Sequence, residues 1–319
     1  MLSKQKTKKL NKGDKVALIT PAGPINEDEL YKAAEIVKNI NLTPVWNKSV
    51  LEKKGYLAGD DQARAEELMY FWKKTDIKAL FCVRGGYGTT RILNLLDYKL
   101  IRQNPKLFMG FSDITALNAA LLTKANLVSL HGSLKSLRFS QGKDFFEKNI
   151  FSSTDGYEIK FFETEEGQTH KIKTIKKGKA QGELVGGNLS LLVSLIGTEY
   201  LPKFENKIVF IEEISEPPYK IDRMLTHLLM ATDISQASGI VLGIFNKCRA
   251  EDYNIQNRSL TLNEIFEEKF SGLNIPVMYN FPFGHLKNSH ILPYGTKVEL
   301  DTGKQSILIK ESITDEKNS

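Results

Sequence analysis

The chain has 319 residues, 44 of them Lys or Arg and 38 Asp or Glu, for a net charge of +6. Hydrophobic residues at 41% and charged residues at 26% are ordinary globular usage, which excludes disorder over most of the chain and allows one large domain or two medium ones. The positive surplus is local: Lys4, Lys6, Lys8, Lys9 and Lys12 crowd the start with no acid among them. The remainder is nearly neutral and lacks the broad basic face that nucleic acid requires.

Two cysteines, Cys82 and Cys248, are too few for a disulfide framework or a cysteine zinc site and read as core thiols. No secretory apolar run follows the opening lysines, and nothing approaches the roughly 18 apolar residues of a membrane span. A cytoplasmic protein without nucleic-acid or membrane partners is therefore expected, with its lysine arm a mobile, solubilising segment.

In chain order, Val16 to Ile19 reads as a strand stopped by a turn with two prolines, Pro21 and Pro24. A helix carrying Leu30, Ala33, Ala34, Ile36 and Val37 follows, and Asp61 is placed to cap a second one reaching Trp72. Short apolar runs at 77–83 and 107–109 end in Arg84-Gly85-Gly86-Tyr87-Gly88 and Gly110-Phe111-Ser112-Asp113, and a helical pattern spans 114–122. Strands that are apolar on both faces, alternating with helices, predict a parallel α/β sheet. The stretch 152–180 is polar, with Glu163, Glu165 and Glu166 followed by five lysines, and reads as a solvated connector. Further strands are expected at 208–211, 240–245 and 298–300, a helix at 189–196, and a frayed tail from Lys310. The division is an N-terminal domain over 1–151, the connector, and a C-terminal domain over 181–319.

Three segments carry candidate chemistry. Ser112 lies between an apolar strand and a helix with Gly110 two residues earlier, which is half of a nucleophile elbow; Ile114 occupies the place of the second glycine. Such a turn projects the hydroxyl and aims the N–H of Asp113 at the same point, although a serine there also serves as a plain helix cap. The loop 84–88 has three glycines whose N–H groups can cradle an anion, flanked by Arg84 and Arg91, and its spacing fits neither a P-loop nor a dinucleotide fingerprint. Glu212, Glu213 and Glu216 follow a strand end, where both a catalytic carboxylate and solvated acids are common. An imidazole base for Ser112 must come from His131, His170, His227, His285 or His290. Of these, His285 sits in a loop held by Pro282 and Gly284, and His131 follows a strand in a position to line the same cleft. No His-Glu-x-x-His or Cys/His cluster supports a metal site.

Taken together, these segments resemble the LD-carboxypeptidase family of serine peptidases, which includes muropeptide carboxypeptidases and microcin C immunity peptidases. The resemblance rests on Pro21-Ala22-Gly23-Pro24, residues 55–61, 84–88, 110–113 and 182–189, Glu212 through Arg223, Gly284-His285 and Pro293-Tyr294-Gly295, in order over most of the chain. One departure is Ser133 after His131-Gly132, where the family often has proline.

The resemblance implies Ser112 as nucleophile, Glu212 as triad carboxylate with Glu213 as the alternative one residue on, and His285 as base. It further implies a Rossmann-like N-terminal domain similar to class I glutamine amidotransferases, a smaller α/β C-terminal domain, homodimers, and no cofactor or metal. The oxyanion hole is expected from the N–H groups of Gly86 and Asp113, and Arg84 is the candidate clamp for a terminal carboxylate. The implied reaction releases D-alanine from a murein tetrapeptide; a microcin-type peptidase, or a non-catalytic module binding a peptidyl or anionic ligand, is the alternative.

Overall fold

The computed structural model describes residues 4–153, 156–160, 171–249 and 259–315. The lysine arm does not trail into solvent. Strand β1 (Thr7–Lys8) pairs in parallel with the chain's last described strand, Thr314–Asp315. Lys4 forms an ion pair with Glu183, and Lys6 lies 3.1 Å from Glu311. The expectation of a mobile arm is corrected, and that of a frayed tail as far as Asp315, because each of these segments supplies the other's hydrogen-bonding edge; residues 316–319 of the tail lie outside the described residues.

Five strands then enter one sheet in parallel: β2 (Lys15–Ile19), β3 (Thr43–Val45), β4 (Ile77–Cys82), β5 (Leu107–Gly110) and β6 (Ser129–His131). Their spatial order, β6-β5-β4-β2-β3, is the 2-1-3-4-5 winding of flavodoxin-like sheets. Alternate side chains explain why both faces are covered. Val16, Leu18 and Phe81 pack with helix α1 (Glu27–Lys38), whose start is fixed by a capping box between Asn26 and Glu29. Ala17, Ile19, Leu80 and Phe108 face α2 (Asp61–Lys73), α3 (Tyr98–Gln103) and the mostly buried α4 (Thr115–Ala125). Asp61 is not the cap of α2; that position is Asp60, and the Asp61 carboxylate binds Arg64 and Arg91 instead. Helix α5 (Ser140–Phe146) closes this half.

The second sheet is built around β9 (Lys179–Asn188), β10 (Lys207–Ile214), β11 (Gly239–Asn246) and β12 (Val277–Tyr279), all parallel. Helices α6 (Leu189–Ser194), α7 (Pro218–Ala231) and α8 (Leu262–Phe270) lie among its crossovers. The polar stretch 152–180 is more than a connector: β7 (Glu158–Ile159) and β8 (Lys173–Lys176) form the two outer strands of this sheet. Glu163, Glu165, Glu166 and His170 lie outside the described residues. Late in the chain, β13 (Leu292–Tyr294) crosses back to pair antiparallel with β6, and β14 (Lys297–Asp301) and β15 (Ser306–Ile309) return to the second sheet, before β16 (Thr314–Asp315) meets β1. The fold is thus mixed α/β, with two large sheets stitched by β13 and the small β1–β16 ladder joining the chain's described ends.

Candidate active site

The loops after β2 and β4 lie side by side where the winding of the first sheet reverses, the usual place for a site in such sheets. Gly23 N–H donates to the Gly85 carbonyl at 2.9 Å, and a Cβ on Gly23 would meet that oxygen at the same 2.9 Å. Buried Arg64 ties both loops down, donating to the Pro21 carbonyl and, at 3.0 Å, to the Gly88 carbonyl. This anchor inside α2 was not singled out in the sequence, where it reads as one charge on an amphipathic helix.

Beyond β5 the chain turns sharply. Ser112 has φ of 63°, the left-handed region that a non-glycine residue occupies at a cost of about 1–3 kcal/mol. Ile114 folds back over Gly110, where a Cβ would stand 2.6 Å from an Ile114 methyl, so glycine is needed at 110. Ser112 makes no capping bond; its Oγ lies 3.0 Å from His285 Nε2. The adjoining Asp113 carboxylate is buried and accepts from Thr89 N–H at 2.8 Å, while the Thr89 hydroxyl donates to the Asp113 carbonyl at 2.6 Å. Burial raises the Asp113 pKa, against the bonds from Thr89 and Gly88. Those bonds fasten the Ser112 turn to the glycine loop, a role for the side chain of Asp113 that the strand-turn-helix pattern does not reveal. Gly85 completes the fit: a Cβ there would lie 2.9 Å from Ser112 Cβ.

The two adjacent glutamates at the end of β10 are separated by a register shift between Ile211 and Glu213 against β11. Glu212 is fully buried, and its Oε2 accepts from His285 Nδ1 at 2.6 Å. Glu213 faces elsewhere, accepting from Asn188 Nδ2 and Ser190 N–H at 2.8 Å and from the Ser190 hydroxyl at 2.6 Å, which locks α6 to β10. Burial raises its pKa. The alternative of Glu213 as partner to His285 is thus not the one the geometry takes.

His285 is presented by a loop with φ of 109° at Gly284, where a Cβ would press on Glu212 at 3.0 Å. The His285 carbonyl accepts from Asn246 Nδ2 at 2.6 Å, and its ring lies 4.8 Å from that of Phe111. Burial alone would lower its pKa, but the hydrogen bond and charge of Glu212 outweigh it and the net shift is upward. With Nδ1–H donating to Glu212, Nε2 is the acceptor for the Ser112 hydroxyl.

These side chains open on a cleft of about 490 Å³ whose walls include Gly85, Gly86, Phe111 and Ser112 from the first half and Asn246 and His285 from the second. Arg84 is at its edge, half exposed, with Nη1 3.2 Å from the Pro24 carbonyl and 3.8 Å from Glu29. Lys135, Lys247 and Lys287 join it and give the cleft a cationic rim, which single lysines scattered over 150 residues of sequence did not signal. His131 does not line the cleft. It is buried behind Phe111 with its ring 4.9 Å from Phe210, and burial holds its pKa down to about 4. His227 is exposed on α7, away from the cleft walls. Among the described residues no group of three His, Cys, Asp or Glu side chains is placed to hold a metal ion, and no helix is long and apolar enough to cross a membrane.

Comparison with known proteins follows the same segments. Residues 16–132 match the LD-carboxypeptidase N-terminal domain and residues 181–300 the LD-carboxypeptidase C-terminal domain. A Bacillus subtilis (strain 168) protein named "Probable murein peptide carboxypeptidase" is 36% identical over 313 residues, 97% of this chain and 96% of that one. The structure of a muramoyltetrapeptide carboxypeptidase from Oxalobacter formigenes superposes with a TM-score of 0.78 at 28% identity, covering 92% of this chain and 97% of the other. The microcin C7 self-immunity protein MccF shares the fold, with a TM-score of 0.86 at 23% identity over 98% of this chain and all of that one. With both domains matched in order across the segments that hold Ser112, Glu212 and His285, the chain belongs to the LD-carboxypeptidase family of serine peptidases.

Proposed function

We propose that Ser112 is the nucleophile, His285 its base and Glu212 the carboxylate that orients the base, and that the cleft removes the terminal D-alanine from a murein tetrapeptide. The bond cleaved joins an L-centre, lysine or diaminopimelate, to D-alanine. The observation that carries the reading is the unbroken relay from Ser112 Oγ to His285 Nε2 at 3.0 Å and from Nδ1 to Glu212 Oε2 at 2.6 Å, open to the cleft at the serine end.

The steps follow from that geometry. His285 Nε2 takes the hydroxyl proton as Oγ attacks the carbonyl carbon, and Glu212 holds the tautomer and stabilises the imidazolium. The oxyanion is received by the N–H of Asp113, at the turn into α4, and that of Gly86, whose loop abuts Ser112; each such donor contributes roughly 3–4 kcal/mol. The tetrahedral intermediate collapses with proton transfer from His285 to the departing D-alanine nitrogen. Water, activated by the same imidazole, then hydrolyses the acyl-enzyme and restores the serine. Arg84, on the cleft edge beside the glycine loop, binds the substrate's terminal carboxylate. The first sheet's winding and its serine at a strand-to-helix turn support a likeness to class I glutamine amidotransferases. Cytoplasmic location and a homodimer are carried over from the family resemblance.

The test is mass spectrometry of lysine-type and diaminopimelate-type murein tetrapeptides incubated with the wild type and with Ser112→Ala. Loss of one D-alanine with the wild type alone is expected, and Arg84→Ala should slow the free acid more than its C-terminal amide. No loss from either peptide would reject the muropeptide reading and bring microcin-type aminoacyl substrates forward.

A further inference from the structure

At the opposite end of the first sheet, the lysine arm crosses the entry ends of β4 and β5 and roofs a cavity of about 370 Å³. Lys8 and Lys9 of the arm, Lys78 of β4 and Lys106 just before β5 all line it, with Asp315 the acid in its wall. We propose that this cavity is a second binding site, for a small phosphorylated anion.

The argument begins with Lys106. It is 7% exposed, and its Nζ donates to the carbonyls of Lys74 at 2.6 Å and Ile77 at 2.5 Å. An ammonium has three donors, so one remains. Among the described residues no carboxylate stands within ion-pair distance of it. Burial first, and then the charge of Lys78, push its pKa down to about 8; Asp76 opposes this weakly and is itself engaged by Lys15 at 2.9 Å. Lys78 spends its Nζ on the Thr75 carbonyl at 2.9 Å, and among the described residues neither it nor Lys8 nor Lys9 has a carboxylate within ion-pair distance. The fifth lysine of the wall, Lys6, is already matched by Glu311 at 3.1 Å. A desolvated cation beside like charges is an energetic cost that an anion in the cavity would remove.

The chemistry of the wall selects the anion. Lys8, Lys9, Lys78 and Lys106 set four positive charges against the one of Asp315, a surplus that a phosphate, with two negative charges spread over several oxygens, balances better than a single carboxylate does. Ile77 and Pro105 supply an apolar side, and the volume lies in the range of small-ligand sites. Ser112 is beyond the far end of β5, so this ligand does not compete with peptide in the cleft. The inference uses none of the residues assigned to catalysis and stands apart from the peptidase reading.

The experiment is calorimetric titration of the full chain with pyrophosphate and, separately, glucose 6-phosphate, at ionic strength held constant with chloride. Saturable binding with Kd below roughly 1 mM is expected for at least one probe. The exposed triple change Lys8→Gln, Lys9→Gln and Lys78→Gln, which disturbs no buried contact, should weaken it by about tenfold or more, as should Lys106→Met. Ser112→Ala should bind as the wild type does. Failure to saturate with both probes, or unchanged affinity in the triple variant, overturns the site. Binding removed instead by Lys135→Gln and Lys247→Gln would place the anion in the catalytic cleft and overturn it equally.

Discussion

Glu212 and Glu213 are neighbours of the same chemical type with opposite surroundings. Successive residues of β10 point to opposite faces, which sends one to an imidazole and the other to amide and hydroxyl donors. Sequence alone left that pair open by one residue, because a strand buried on both faces shows no alternation to tell which face meets the cleft. The assignment has a kinetic signature. His285 must be neutral to accept a proton, and its pKa is raised above the ordinary 6.5, so kcat/KM should fall as pH drops through that raised value. Replacing Glu212 by Gln leaves the burial that lowers the pKa and removes the larger of the two influences that raise it, the smaller being the charge of Glu213. We therefore expect Glu212→Gln to cut kcat/KM by about 10⁴-fold while moving the residual acid limb to lower pH. A pH–rate profile of both proteins reads the shift. A limb that stays in place would mean that Glu212 does not set the base.

At the scale of elements, the serine's half of the site is a contact between three turns, those after β2, β4 and β5, each legible in sequence as an interruption of an apolar run by glycine or proline. Their mutual fastening was not legible. Arg64 reaches carbonyls of two turns from α2, and Thr89 joins the glycine loop to Asp113, through bonds between residues 24 and 43 positions apart. Nothing in local pattern distinguishes such an arginine or threonine from its solvated equivalents. Gly85 has no positive φ to demand glycine, so its requirement is steric. A methyl there would press on Ser112 Cβ at 2.9 Å and on Ser112 Oγ and the Phe111 carbonyl at 3.2 Å. Gly85→Ala should then displace the nucleophile by a fraction of an ångström and reduce kcat by about 10²-fold, with overpacking costing about 1–3 kcal/mol of stability. Steady-state kinetics beside a thermal melt separates the two effects. Full activity in the variant would show that the elbow has room the geometry denies it.

Across the whole molecule, serine comes from one sheet and the glutamate and histidine from the other, so the 3.0 Å between Ser112 and His285 is a property of the seam between them. The α/β character was readable from apolar runs alternating with helices, but the seam was not. β13 is three residues long, contains Pro293, and pairs with β6 across 160 positions of sequence. β7 and β8 were hidden in a charge run, because an edge strand with polar side chains carries little hydrophobic signal. Phe210 is the test of this seam. It is fully buried two residues before Glu212, with ring centroids 4.9 Å from His131, 5.6 Å from Phe283 and 5.9 Å from Tyr294. His131 lies in the first sheet, and Tyr294 sits on β13, so truncating Phe210 opens a void where both sheets and the stitch meet. Phe210→Ala should cost about 3–5 kcal/mol in urea unfolding, and because a collapsing seam moves His285 relative to Ser112, kcat should fall even under conditions where the variant remains folded. A loss of stability with kcat unchanged would mean that the catalytic distance is held by the turns themselves, independently of the packing between the sheets.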